Sequence, residues 1–129
     1  TKTGFKSRVL STHSEWQEWE RNLDSKPERK WPDLMVITYD ILSREVNRAP
    51  TGRHTRGEQT AVGSRLYTIG YWRLVIDESQ EVSHENRGST RACTNICAEH
   101  RWSVSGTPLT ADNWMQDMYA HVRFLRGLR

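Results

Sequence analysis

The sequence has no long apolar run. Its longest unbroken aliphatic stretch is Leu34 to Ile37, against the roughly 20 residues that a membrane-crossing helix needs, so no membrane partner is expected. Cysteine is scarce too, with only Cys93 and Cys97 present. Four residues apart on an expected helix, they point the same way from neighbouring turns, which predicts no disulfide framework and fits a reducing intracellular compartment. Charge of one sign is also missing: 19 basic residues stand against 16 acidic ones, which argues against the self-repulsion of disordered chains. Apolar residues make up 35% and, even with the 8 glycines added, stay under the roughly 45–50% usual for a globular chain. The 129 residues therefore have room for about one domain with a thin core. Thr1-Lys2-Thr3-Gly4-Phe5 holds neither an initiator methionine nor an apolar signal core, so a segment of a longer, non-secreted chain is expected.

What is present is periodic. Ser14 and Gln17 have capping-box spacing, and Trp16, Trp19 and Leu23 recur at helical intervals, predicting a helix over Ser14–Leu23. Lys26 to Pro32 breaks it. Leu34–Thr38 reads as a buried strand, with a buried helix segment as the alternative; Ile41, Leu42 and Val46 suggest a short helix. Arg44 to Ser64, with Pro50, Gly52, Gly57 and Gly63, reads as a loop. Leu74-Val75-Ile76 is a second strand candidate. Ala92, Cys93, Ile96 and Cys97 form a narrow helical face, and Trp102 and Val104 alternate in a third strand. A last helix is predicted over Asn113–Leu125, burying Trp114, Met115, Met118, Tyr119, Val122 and Leu125, with Thr110 or Asp112 as cap. Alternating strands and helices predict an α/β fold, a mostly parallel sheet covered on both faces.

In such sheets ligands gather beyond the carboxyl ends of the strands, where Thr38-Tyr39, Asp77-Glu78 and Ser105-Gly106-Thr107-Pro108 fall. An acidic pair after an apolar strand suits nucleotide hydrolysis, one carboxylate holding Mg²⁺ and its neighbour orienting the attacking water. Alone, such a pair at a strand-to-loop junction is more often a solvated turn.

The neighbouring residues add a resemblance. Tyr71-Trp72-Arg73-Leu74-Val75-Ile76-Asp77-Glu78-Ser79-Gln80-Glu81-Val82 resembles the Asp-Glu box of Swi/Snf-type DNA-dependent ATPases of helicase superfamily two. His100-Arg101-Trp102-Ser103-Val104-Ser105-Gly106-Thr107-Pro108-Leu109 resembles that family's Ser/Thr-Gly-Thr-Pro motif. Asp33 to Leu42 is similar to its Thr-Tyr motif, and Asp117-Met118-Tyr119 with Arg123-Phe124-Leu125 to the helix that follows. The likeness is greatest to the branch of helicase-like transcription factor and RING-bearing repair translocases. It implies a partial RecA-like lobe of the P-loop NTPase class. Residues 1–129 would form this single partial helicase ATP-binding lobe, with motifs over 33–125 and an insertion loop at 44–64.

By the same resemblance, Asp77 and Glu78 are the expected catalytic pair, Asp77 meeting Mg²⁺ through water. Gln80, Ser105, Gly106 and Thr107 would couple nucleotide state to the other lobe, and Thr38 and Tyr39 would lie at the DNA backbone. The implied cofactors are ATP and Mg²⁺ in the intact parent protein. The implied partners are double-stranded DNA or chromatin and a second RecA-like lobe of the same parent chain, in a nuclear setting if eukaryotic. The sequence contains no Gly-x-x-x-x-Gly-Lys-Ser/Thr loop to hold the phosphates, nor the lobe whose arginine finger is worth roughly 10³–10⁵ in rate. The parent is therefore read as an ATP-dependent DNA translocase in remodelling or repair, and this chain alone as inactive. The competing reading is a degenerate, non-enzymatic lobe serving as a DNA- or protein-binding scaffold.

The remaining residues are given plain readings. Trp72, Trp102 and Trp114 are expected to pack in or beside the core. Cys93, Cys97 and His100, with His84 the nearest fourth candidate, are read as packing residues rather than a closed zinc site. His13, His54 and His121 are read as surface residues. The five arginines from Arg44 to Arg65 are assigned to a solvated loop ahead of a DNA contact.

Overall fold

Parallel strands and helices alternate in the computed structural model, which describes residues 4–25, 31–49, 63–82 and 87–125. Strand β1 (Ser7–Leu10) leads to helix α1 (His13–Ser25), then β2 (Leu34–Ile37) and α2 (Tyr39–Glu45), which a 3₁₀ turn at Val46–Arg48 extends. After α3 (Arg65–Thr68) come β3 (Tyr71–Ile76), a 3₁₀ turn at Ser79–Val82, α4 (Gly88–Asn95), β4 (Ala98–Ser103) and α5 (Trp114–Phe124). The strands form two parallel pairs, β1 with β2 and β3 with β4. The first runs in register from Ser7 opposite Leu34 to Leu10 opposite Ile37. The second runs to Ile76 opposite Ser103 and continues past the strands, Val104 N–H donating to Ile76 O at 2.9 Å and Ser79 N–H to Val104 O at 3.0 Å. The α/β class and parallel strands are as the sequence predicts.

Strand β1 is an addition that the sequence reading lacks. Only Leu10 of its residues is buried, so it carries no apolar pattern; its pairing instead rests on the backbone and on Asp33, whose carboxylate accepts from Lys6 N–H at 2.7 Å. The cap of α1 also lies two residues earlier than expected. Thr12 Oγ1 accepts from Glu15 N–H, and Glu15 Oε2 accepts from the N–H groups of Ser11 and Thr12, a reciprocal capping box. These two backbone bonds hold the Glu15 carboxyl below its ordinary range.

Helices cover one face of the strands, and the core gathers there: Leu10, Trp16, Trp19, Ile41, Leu42, Leu66, Tyr67, Ile76, Ala92, Cys93, Ile96 and Phe124 are buried together. The opposite face, which the sequence also predicts to be covered, has no cover among the described residues. Val9, Val36, Val75 and Trp102 on that face are exposed. Trp72 and Trp114 are exposed as well, so of the tryptophans assigned to packing none is in the core.

Helix α5 is rotated relative to the expected orientation. It buries Asp117, Ala120, His121 and Phe124, while Trp114, Met115, Met118, Tyr119 and Leu125 are exposed. The physical reason is polar. Asp117 Oδ2 accepts from both N–H and Oγ1 of Thr110, at 2.8 and 2.7 Å, and His121 Nε2 meets Pro108 O at 2.8 Å. These bonds fasten the loop after β4 onto this side of the helix. Thr110 thus serves Asp117 rather than capping the helix, and Asn113 stands at the N-cap without a side-chain bond.

Other expectations shift too. His121 is buried, and His13 is part-buried against Glu45 rather than lying free on the surface. Cys97 falls beyond the end of α4 and is exposed, whereas Cys93 is buried. Burial pushes the Cys93 thiol up to about 12, against a partial opposing pull from Arg101. The start of the expected 44–64 loop is helical, and residues 50–62 lie outside the described part, as do His54 and His84. Among the described residues no helix is long and apolar enough to cross a membrane, and no group of His, Cys, Asp and Glu could hold a metal ion as a cluster of three or more.

Candidate functional site at the strand ends

Three strand ends converge. β3 delivers Asp77 and Glu78 as exposed side chains, because the apolar strand stops at buried Ile76 and the chain then turns sharply. Glu78 has φ 51°, a left-handed conformation uncommon for a residue with a Cβ. Surrounding bonds hold that turn: Asp77 Oδ1 accepts from Glu78 N–H at 2.9 Å, and Glu81 N–H donates to Glu78 O at 2.9 Å.

From Glu78 a line of side-chain bonds runs to the loop after β4. Gln80 Nε2 donates to Glu78 Oε2 at 2.7 Å, Ser105 Oγ donates to Gln80 Oε1 at 2.6 Å, and Thr107 N–H donates to Ser105 Oγ at 3.0 Å. An amide side chain is suited to this place, since it offers a donor to the carboxylate and an acceptor to the hydroxyl at once. Five of the residues singled out in the sequence, Asp77, Glu78, Gln80, Ser105 and Thr107, therefore meet. Gly106 sits in open space, where an added Cβ would meet nothing within 4 Å.

The β2 end approaches from the side. The Tyr39 hydroxyl donates to Asp77 O at 2.5 Å, and burial, followed by the neighbouring Cys93, Asp77, Glu81 and Glu78, pushes the phenol well above its ordinary range. Thr38 does not reach this group; its Oγ1 donates to Ser11 O at 3.3 Å, tying the end of β2 to the end of β1.

A second polar cluster escaped the sequence reading. Arg48 Nη1 donates to Glu20 Oε2 at 2.7 Å and to Glu45 Oε2 at 2.9 Å, His13 Nε2 meets Glu45 Oε1 at 2.8 Å, and Arg65 N–H donates to Glu20 Oε1 at 2.7 Å. Burial disfavours the Arg48 cation, but the bonds and charges of Glu20 and Glu45 outweigh this and its pKa is raised. The one signal available was the Glu45 and Arg48 spacing of three on a helix. Nothing in the sequence ties either residue to Glu20.

Comparison with known proteins matches the SNF2-related domain to residues 6–127. DNA repair protein rad5 of Neurospora crassa is 32% identical over 96 residues, 74% of this chain and 7% of that protein. DNA repair protein RAD5 of Saccharomyces cerevisiae is 28% identical over 94 residues, 73% of this chain and 8% of its own length. The chain thus spans less than a tenth of these curated relatives. Among solved structures, the Sulfolobus solfataricus SWI2/SNF2 ATPase core in complex with dsDNA is similar at a TM-score of 0.54 and 20% identity. It covers 94% of this chain and 25% of its own, a likeness of fold. With a family match running over nearly its whole length, the chain belongs to the SNF2-related family.

Proposed function

We propose that these residues are the acidic-pair and coupling portion of the first RecA-like lobe of a nuclear SNF2-type ATPase, which moves on double-stranded DNA in repair or chromatin remodelling. The observation that carries this reading is the bonded line Glu78–Gln80–Ser105–Thr107. It joins the residues expected to act on the attacking water to the turn expected to face the second lobe.

The donor set fits Mg²⁺ with ATP on one side only. Asp77 and Glu78 are exposed carboxylates at a strand end, hard oxygen donors of the kind that hold Mg²⁺ through its water shell. The sequence contains no phosphate-cradling loop. When bound, Mg²⁺ would neutralise charge on the phosphate oxygens. The chain's own contribution is to aim Asp77 at the metal's water, to let Glu78 orient the attacking water, and to hold Glu78 through Gln80. Ser105, Gly106 and Thr107 would carry the position of Glu78 toward the other lobe. Thr38 and Tyr39 begin the α2 segment assigned to the DNA backbone, where the Tyr39 hydroxyl, already given to Asp77, leaves backbone N–H groups as the phosphate donors.

A second reading is a degenerate lobe that binds DNA or protein without hydrolysis. One experiment separates the two. In the full-length protein, Asp77→Asn and Glu78→Gln should abolish DNA-stimulated ATPase while DNA affinity in a filter or anisotropy assay stays within about twofold, since neither carboxylate neutralises a phosphate. Unchanged turnover rejects the hydrolytic assignment, and a wild-type protein without turnover supports the scaffold. The isolated 129-residue chain should bind Mg·ATP weakly or not at all.

A further inference from the structure

The hydroxyl of Tyr39 is held by the backbone at the end of a different strand. Tyr39 opens α2, packs partly buried against the core, and donates to the Asp77 carbonyl at 2.5 Å, 38 residues along the chain. That carbonyl belongs to the same peptide plane as the Glu78 N–H, and the Glu78 N–H bonds Asp77 Oδ1 at 2.9 Å. A donor fixed on one edge of the plane therefore sets the direction of the other edge. It bears on where the Asp77 carboxylate sits and on how the left-handed Glu78 projects its own. A backbone held at φ 51° persists only where its surroundings over-determine it, and the phenol is the one side chain from the β2–α2 region seen bonded to this peptide.

We infer that Tyr39 is a positioning residue for the acidic pair: its hydroxyl fixes the Asp77–Glu78 peptide plane and so aims both carboxylates. This deepens the reading of Asp77 and Glu78 as the hydrolytic pair and rests on it. It also gives Tyr39 a role distinct from contact with a DNA phosphate. Burial and the surrounding carboxylates keep the phenol protonated, so the donor is present throughout the neutral range. Because Thr38 is tied to Ser11 O, the residue that makes this bond stands at the junction of both strand pairs.

Tyr39→Phe removes the donor and keeps the ring. In the 129-residue chain, amide hydrogen exchange at Glu78 should become about tenfold faster, the change expected from loss of one hydrogen bond. The amides of Ala92 and Ile96 in and beside α4 should keep their rates. Equal acceleration at those amides marks a global loss of stability and overturns the positioning role, as does an unchanged Glu78 rate. In the full-length protein the same variant should lower kcat about tenfold at saturating DNA, and raise the Mg²⁺ concentration needed for half-maximal rate, with DNA affinity unaltered. Weaker DNA binding with normal kcat assigns the hydroxyl to DNA and sinks the inference. Asp77→Asn run in parallel keeps the two claims apart. If it abolishes turnover and Tyr39→Phe changes neither rate nor Mg²⁺ dependence, Tyr39 alone is misassigned; if it leaves turnover intact, the hydrolytic pair is.

Discussion

The Ser105 hydroxyl donates to Gln80 Oε1 at 2.6 Å, joining residues from the ends of two paired strands. Gln80 spends its other end on Glu78, so the two bonds share one side chain and should not contribute independently. We expect Gln80→Ala and Ser105→Ala each to destabilise the chain by about 1 kcal/mol in urea unfolding. The double variant should fall short of the sum by roughly 0.5–1.5 kcal/mol. Strict additivity would show that the bond does not form in solution. In the full-length protein both variants should blunt the stimulation of ATPase by DNA more than the basal rate.

The Glu20, Glu45 and Arg48 cluster is expected to matter for stability rather than chemistry. Glu45 is fully buried and Glu20 nearly so, and both carboxylates take their charge-assisted bond from one guanidinium. Arg48→Met leaves two buried carboxylates without this guanidinium, with His13 among the described residues still bonded to Glu45. Removing one partner of a buried pair costs roughly 3–5 kcal/mol, and the partial exposure of Arg48 puts the expected value toward the lower end. Glu45→Gln, whose one carbonyl oxygen can still accept from Arg48 while its amide N–H can donate to a neutral His13 Nε2, should cost less. Chemical denaturation of the two variants ranks them, and an Arg48→Met midpoint equal to wild type excludes an ionic cluster in solution.

The elements with a strong local signal were legible in the sequence. Leu34–Ile37 and Leu74–Ile76 read as strands because short apolar runs end at turn-forming or charged residues, and their carboxyl ends identified Thr38, Tyr39, Asp77 and Glu78 as chemically loaded. What stayed illegible depends on partners far along the chain. Ser7–Leu10 is a strand because the backbone of Leu34–Ile37 lies beside it, not because of its own pattern. The apolar stripe of α5 was read correctly as a stripe, but Asp117 and His121, bonded to Thr110 and Pro108, turn the opposite side inward. Sequence periodicity finds the apolar face of a helix and is silent on whether that face has a cover.

Stability should fall on the alkaline side, through Cys93 first. Its thiol is pushed up to about 12 in the folded chain, against roughly 8.5 when unfolded. Between these values the unfolded chain has released the proton and the folded chain still holds it, so stability declines as pH rises. The contribution is complete below about pH 8.5 and is lost progressively above it. The phenols of buried Tyr67 and of partly buried Tyr39 and Tyr71, also raised by desolvation, add to the decline above about pH 10. Urea midpoints should be flat to pH 8.5 and fall beyond it, and Cys93→Ala should delay the fall toward the phenol range. Alkylation offers an independent check: exposed Cys97 should react in the folded chain while Cys93 stays unmodified.

The exposed side of α5 should make the isolated chain associate with itself. Trp114, Met115, Met118, Tyr119 and Leu125 lie at helical spacing and are 45–65% exposed, and monomeric proteins seldom leave a contiguous apolar face of this kind in water. Burying one such side chain is worth roughly 1.5–3 kcal/mol, so covering two of them supplies only about 3–6 kcal/mol. Association at micromolar concentration, which needs about 8 kcal/mol, requires the whole face to be covered on both copies. Light scattering across a dilution series should give a mass that rises with concentration. Met115→Glu places a charge in the middle of this face without touching Asp117, Ala120, His121 or Phe124, the side that holds the fold. It should weaken association at least tenfold and leave the unfolding midpoint unchanged. A wild-type chain that stays monomeric at every concentration shows the face to be covered in solution, and a destabilised Met115→Glu variant shows that it is this side of α5, rather than the other, that packs.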